Sequence, residues 1–264
     1  MTASSRASCA RWAILTVLDA VPDPPEAERF ARVCRVLDRL HAVGITCVHA
    51  MDGSPATYDF LAELEGRGEL TMRLVVPLWQ KPDTSDDEMR AQLPLLDAHG
   101  RLWRGGVAKF FIDGVIESGT AWLEEPDTLG AWHLRLGPER SARAWRTRDL
   151  VDAGAPPALG SDWPVAQYDP RLGMAWARLR RPPGERDAPA FEPEQALTAL
   201  ETLEGYTVRA AGVVGDQARA GRIAPGFHAD LTGFAEDPVA CPADDLVDLP
   251  VWLTMVEGLV VHRG

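Results

Sequence analysis

Short apolar segments alternate with amphipathic helices over the first two-thirds of this 264-residue chain, and that alternation restricts its fold more than any other feature. Residues 24–43 carry a helical period, with Phe30, Val33, Val36, Leu37 and Leu40 on one face and Gly44 as the stop. Residues 45–49 follow as a buried strand. The pattern then repeats: helix 57–65 before strand 73–78, helix 85–99 before strand 107–113, and helix 138–152 before strand 157–162. Near-continuous apolar strands separated by helices predict a parallel sheet covered by helices.

The last third changes character. One more helix is predicted over 193–213, then a Gly- and Pro-punctuated run of strands at 228–234, 251–256 and 259–262. Glu257-Gly258 forms a tight turn between the last two. An eight-stranded (β/α) barrel takes roughly 250 residues, and the first 214 residues supply four clear strands. The expectation is therefore α/β: an incomplete TIM-type (β/α) barrel over residues 1–214, and a small antiparallel β element over 215–264.

Composition narrows the function. Lys and Arg total 27 against 39 for Asp and Glu, a net charge of −12, which excludes the basic face that nucleic acids or anionic membranes require. No apolar run approaches the ~20 residues of a transmembrane helix. The start imitates a secretory leader, with Arg6 and Arg11 ahead of the apolar run 12–18. Asp19 interrupts it, however, and no clean cleavage site follows, so no leader is expected. Cys9, Cys34, Cys47 and Cys241 lack metal-type spacing and predict reduced thiols in a cytoplasmic protein. Lys81 and Lys109 are the only lysines among many arginines, so either can mark amine chemistry or simply be a chance survivor. Neither Gly-rich phosphate-binding pattern, G-x-G-x-x-G or G-x-x-x-x-G-K, occurs.

Four ordered segments carry a family resemblance: VAKFFIDGVIESGTAWLEEPD (107–127), RLGPERSARAWRTRDLVDAGAPPALGSDWPVAQYDPR (135–171), LEGYTVRAAGVV (203–214), and GRIAPGFHADLTGF (221–234) with the closing VWLTMVEGLVVHRG. Together they resemble the amidohydrolase superfamily, in particular amidohydrolase family 3, with its N-substituted formamide deformylases and exoenzyme-regulatory-type proteins. The resemblance implies a metal-dependent hydrolase of non-peptide carbon–nitrogen bonds. Its divalent metal, zinc, would lower the pKa of a bound water at the mouth of the barrel. Asp162, in GSDWPV, matches the family aspartate that touches the metal and shuttles protons; the plain alternative is a helix N-cap. Lys109 matches a position where relatives carry a carbamylated lysine bridging metals, its plain alternative being a salt bridge. Asp113, two pleats on from Lys109, and Trp163, beside Asp162, are the implied substrate contacts. Residues 215–264 match a remnant of the family's small β-sandwich domain.

The departures are as specific as the matches. The family's H-x-H pair is absent: the histidines are His41, His49, His99, His133, His228 and His262. Only His133 falls between the Lys109 and Asp162 segments, where two ligand histidines are implied, as though two βα units were deleted near 130–133. The N-terminal portion of the family, with its H-x-H strand, is missing before Met1. A catalytic zinc usually takes three protein ligands, and this chain offers Asp162 and Lys109. The alternative expectation is thus an inactive fragment with at most a binding role. The expected partners are a small amide-type substrate and either a second copy or a complementing fragment that covers exposed sheet edges.

Overall fold

A computed structural model describes residues 20–22, 24–81, 84–110 and 132–264. The first helix among the described residues, α1 (Glu26–Ala42), begins after Pro25, carries Glu26 and Glu28 in its first turn and Arg39 and His41 in its last, and so complements the helix dipole at both ends. It buries Phe30, Leu37, Leu40 and His41. Strand β1 (Cys47–His49) follows, then α2 (Pro55–Gly66), which opens on a reciprocal capping box between Ser54 and Thr57.

The next line of extended chain is divided into β2 (Arg73–Val75) and β3 (Leu78–Gln80). Pro77, which has no N–H to donate, lies in the break. Helix α3 (Asp86–Gln92) runs into a 3₁₀ turn (Leu93–Asp97), and β4 (Trp103–Arg104) and β5 (Ala108–Phe110) complete this half. The named strands described here pair in parallel, β1–β2–β4 in one ladder and β3–β5 in the other, and an isolated antiparallel bridge links His99 to Arg104. Amides of Leu74, Val76 and Leu78 donate in turn to the carbonyls of Leu102, Arg104 and Val107, so the two ladders run on as one.

One face of this sheet packs on the helices. Phe30, Leu37, Tyr58, Leu61, Leu64, Met72, Leu78 and Trp103 form a single buried cluster, with Val48 and Leu74 against it. Phe30 stacks on Phe60 at 4.6 Å.

Residues 132–264 build a second core. Helix α4 (Trp132–Ser141) is broken at Gly137, and α5 (Thr147–Asp152) and α6 (Pro170–Leu179) follow. A 3₁₀ turn (Pro193–Gln195) precedes α7 (Ala199–Tyr206) and α8 (Val208–Val213). Met174 and Ala175 of α6 pack with Cys241, Leu246 and Leu249. The chain closes in an antiparallel sheet, β6 (Leu231–Phe234), β7 (Val251–Val256) and β8 (Leu259–Arg263), in the order β6–β7–β8. This sheet docks on the first half: the hydroxyls of Thr254 and Thr232 donate to the carbonyls of His41 (2.7 Å) and Gly44 (2.6 Å). Val256 joins the first core.

The mixed α/β expectation and the C-terminal antiparallel sheet hold. The strand expected at 157–162 does not form. Pro156 and Pro157 offer no ladder donors, and the segment is instead tied to α7 by Leu159 N–H donating to Gly205 O at 3.0 Å. The helices expected at 138–152 and 193–213 are each divided, the first by a turn at 142–145, and the strand expected at 228–234 shortens to β6. Of the strand at 107–113, β5 is present, and residues beyond 110 lie outside the described residues. Among the described residues, no helix is long and apolar enough to cross a membrane.

Candidate functional site

The C-terminal ends of parallel strands are where α/β sheets usually place their chemistry. Here those ends bring together the loop after His49 and the strand carrying Lys109. Gly53 crosses so close to Pro77 that a Cβ would overlap its carbonyl, and its own carbonyl accepts the Trp79 N–H at 3.0 Å. That approach sets Asp52 beside Lys109, the register partner of Trp79, and Lys109 Nζ donates to Asp52 Oδ1 at 3.3 Å. The Lys109 side chain is mostly buried while Asp52 is open to water. The contact with Asp52 is the kind of salt bridge that the plainer of its two readings expects.

Asp162 occupies an exposed turn, with positive φ (50°) and its carbonyl accepting the Val165 N–H at 2.8 Å. A non-glycine residue in this left-handed region is uncommon, and such backbone strain concentrates at functional sites. Trp163 is exposed and packs edge-on against Tyr168 at 5.9 Å. Asp113 lies outside the described residues, and His133 falls in α4.

Among the described residues, no three His, Cys, Asp or Glu side chains converge as a cation site would require.

The sheet face turned away from the helices carries a cluster that residue patterning did not single out. Registered neighbours place Cys47 and His49 of β1, Arg73 and Val75 of β2, and Arg104 of β4 on one side. Three carboxylates from the C-terminal region meet them. Arg73 donates to Asp230 at 2.8 Å and to Glu257 at 3.1 Å; Arg104 donates to Asp216 at 3.1 Å. Arg219 also holds Asp216, and Arg101 holds Glu257. Burial alone would lower the Arg73 guanidinium, but the bonds and charges of Asp230 and Glu257 outweigh it and hold it above its usual value. Burial opposes ionisation of Asp216, and hydrogen bonds from Arg219 and Arg104 overcome it, holding this carboxyl below the usual range. Burial pushes the Cys47 thiol up to about 12, and it draws His49 below its ordinary value. A cleft of about 470 Å³ opens beside this cluster, lined by Arg73, Arg101, Arg104, His99, Asp216 and His228. The signal was present in the sequence: an arginine inside an otherwise apolar strand needs a buried partner.

The model of the amidohydrolase family matches residues 128–262. A putative amidohydrolase of Bacillus subtilis is 33% identical over 129 residues, 49% of this chain and 24% of that protein. An N-substituted formamide deformylase of Arthrobacter pascens is 30% identical over 212 residues, 76% of this chain and 36% of the enzyme. The chain thus spans about a quarter of the first of these relatives and little more than a third of the second. Among solved structures, a zinc complex of an atrazine chlorohydrolase from Arthrobacter aurescens aligns at 18% identity with a TM-score of 0.49, over 86% of this chain and 70% of that one.

Proposed function

This chain belongs to the amidohydrolase family, and on that premise we propose that it is part of a hydrolase of carbon–nitrogen bonds outside peptides, with N-substituted formamides as the first substrate class to try. The observation that carries the reading is the family match across 128–262, which includes Asp162 in its GSDWPV segment. In this reading residues 1–214 derive from a TIM-type barrel and 215–264 from the small β domain beside it. Asp162 is the proton carrier. Water adds to the formyl carbon and gives one proton to the Asp162 carboxylate; the carboxylic acid then protonates the nitrogen as the C–N bond breaks, releasing formic acid and the amine. Its exposed turn leaves the carboxylate accessible, and Trp163 offers an aromatic surface for the substituent on nitrogen, with Asp113 as a further substrate contact.

The family's chemistry relies on a divalent metal, zinc in the expectation above, and the described donors do not fit one, so no step is routed through it. That observation favours a second reading, in which the chain keeps the family's fold and does not turn over alone, acting with a second copy or a complementing fragment. Metal analysis of protein purified with zinc, combined with hydrolysis of an N-substituted formamide, separates the two. Near-stoichiometric zinc with hydrolysis falling by about a hundredfold or more in Asp162→Asn supports the hydrolase. A metal-free, inert preparation supports the second reading, and light scattering then decides whether the chain self-associates.

A further inference from the structure

We infer that the end of the β3–β5 ladder, under α3, holds a binding pocket for a small neutral molecule: one apolar ring carrying a single O–H or N–H donor. Leu78, Gln80, Ala108 and Phe110 line this pocket, and their alternates Trp79 and Lys109 project to the opposite face of the strands. The inference does not depend on the hydrolase reading, because neither Lys109 nor Asp162 lines the pocket.

Three observations carry it. The first is an orphaned acceptor. Gln80 is 6% exposed, and its Nε2 donates to the Leu78 carbonyl at 3.3 Å and to Gln92 Oε1 at 2.9 Å. A carbonyl only accepts, so the amide nitrogen must face Leu78 and Oε1 must face away from it. Among the described residues nothing donates to Gln80 Oε1. A buried acceptor without a donor is costly, and native folds rarely leave one. The second observation is size. The cavity measures about 170 Å³, close to the ~150 Å³ of an apolar cavity that takes up one benzene ring. The third is the character of the walls. Leu78, Met89, Leu93, Leu96 and Phe110 are apolar, and among the described residues only Gln80 and Gln92 bring polar side chains. No charged side chain among them lines the pocket, so an ionic ligand would lose its water without compensation.

Access from solvent fits the same ligand. Leu93 and Phe110 are large apolar side chains, yet they are 58% and 59% exposed, and a bound ring would cover both. The ring packs between α3 and β5, and its donor hydrogen goes to Gln80 Oε1. Phenol or aniline meets both demands, whereas toluene, with the same ring and no donor, meets only the first.

Solution NMR of the full chain, isotopically labelled at glutamine, tests this directly. The chain has five glutamines and no asparagine, so its side-chain amide spectrum is sparse. Titrated phenol is expected to shift the Gln80 and Gln92 side-chain amides saturably and to leave those of Gln167, Gln195 and Gln217 in place. Toluene is expected to bind at least about tenfold more weakly, since it leaves the Gln80 acceptor unmet. Gln80→Met keeps the volume and removes the acceptor, so phenol and toluene should then bind alike, read at Gln92. Should that variant fail to fold, Ala108→Phe blocks the pocket from an exposed position and should abolish the shifts with either probe. Toluene binding the unaltered chain as tightly as phenol, no saturable shift at Gln80 and Gln92, or shifts that persist in Ala108→Phe would overturn the inference.

Discussion

His41 shows how a single side chain can fix both a turn and a pH dependence. It is 1% exposed, with Nδ1 3.1 Å from the Ile45 carbonyl and Nε2 3.0 Å from Thr71 Oγ1. A carbonyl only accepts, so Nδ1 carries the proton and Nε2 accepts from the threonine hydroxyl. Burial lowers its pKa and nearby His262 adds to this, against opposing pulls from the Ile45 bond and Asp38. The folded chain thus takes up a proton at His41 less readily than the unfolded chain, whose histidine titrates near ~6.5. Stability is full above that value and declines as pH falls below it, since only the unfolded state gains the proton. His49, also lowered, adds in the same direction. Urea midpoints at pH 7.5 and 5.5 should therefore differ, and His41→Gln should narrow the gap; an equal gap in both proteins would contradict this account. Gly44, just beyond, adopts φ +84°, and a Cβ there would overlap the Thr232 methyl. Gly44→Ala should cost about 1–3 kcal/mol by denaturant titration, from strain and from displacing the C-terminal sheet.

At the scale of elements, local chemistry explains what holds and what breaks. Ser54 accepts from the Thr57 amide and Thr57 returns a bond to the Ser54 amide, closing the start of α2. Ser54→Ala should cost about 1 kcal/mol, read as a lower urea midpoint with unchanged slope. Such helices were legible from the sequence because their apolar period and caps are local. The parallel strands were legible in position but not in length: Pro77 divides one line of chain, and Gly105 and Gly106 lie between β4 and β5. The segment 157–162 looked like a strand because Ala158 and Leu159 are apolar, yet its prolines remove the donors a ladder needs. The charged face was the least legible feature. Arg73 and Asp230 lie 157 positions apart, and no local pattern pairs them. Of the residues the family resemblance pointed to, Lys109 was placed on its strand correctly, but its partner Asp52 depends on a loop crossing that periodicity does not encode.

Across the whole molecule, the question is whether the parallel and antiparallel halves unfold together. Their cores are separate clusters, one under α1 and α2, the other around α6 and the 241–249 segment. Between them the antiparallel sheet reaches across: Val256 is buried in the first core, Thr254 and Thr232 bond the end of α1, and Asp230 and Glu257 grip Arg73. A truncation deep in the first core should therefore be felt in β7 and β8. Leu64, in α2, is fully buried in the first core. Leu64→Ala should cost about 2–5 kcal/mol, the usual range for such a cavity. If the halves are one cooperative unit, slow-exchanging amides of β7 and β8 should lose protection in parallel with those of β1 and β2. If the antiparallel sheet instead folds on its own, its amides will keep their wild-type rates while β1 and β2 exchange faster. The first outcome is expected, because β7 takes part of its burial, and its neighbouring turn most of its charge pairing, from the half that the mutation weakens.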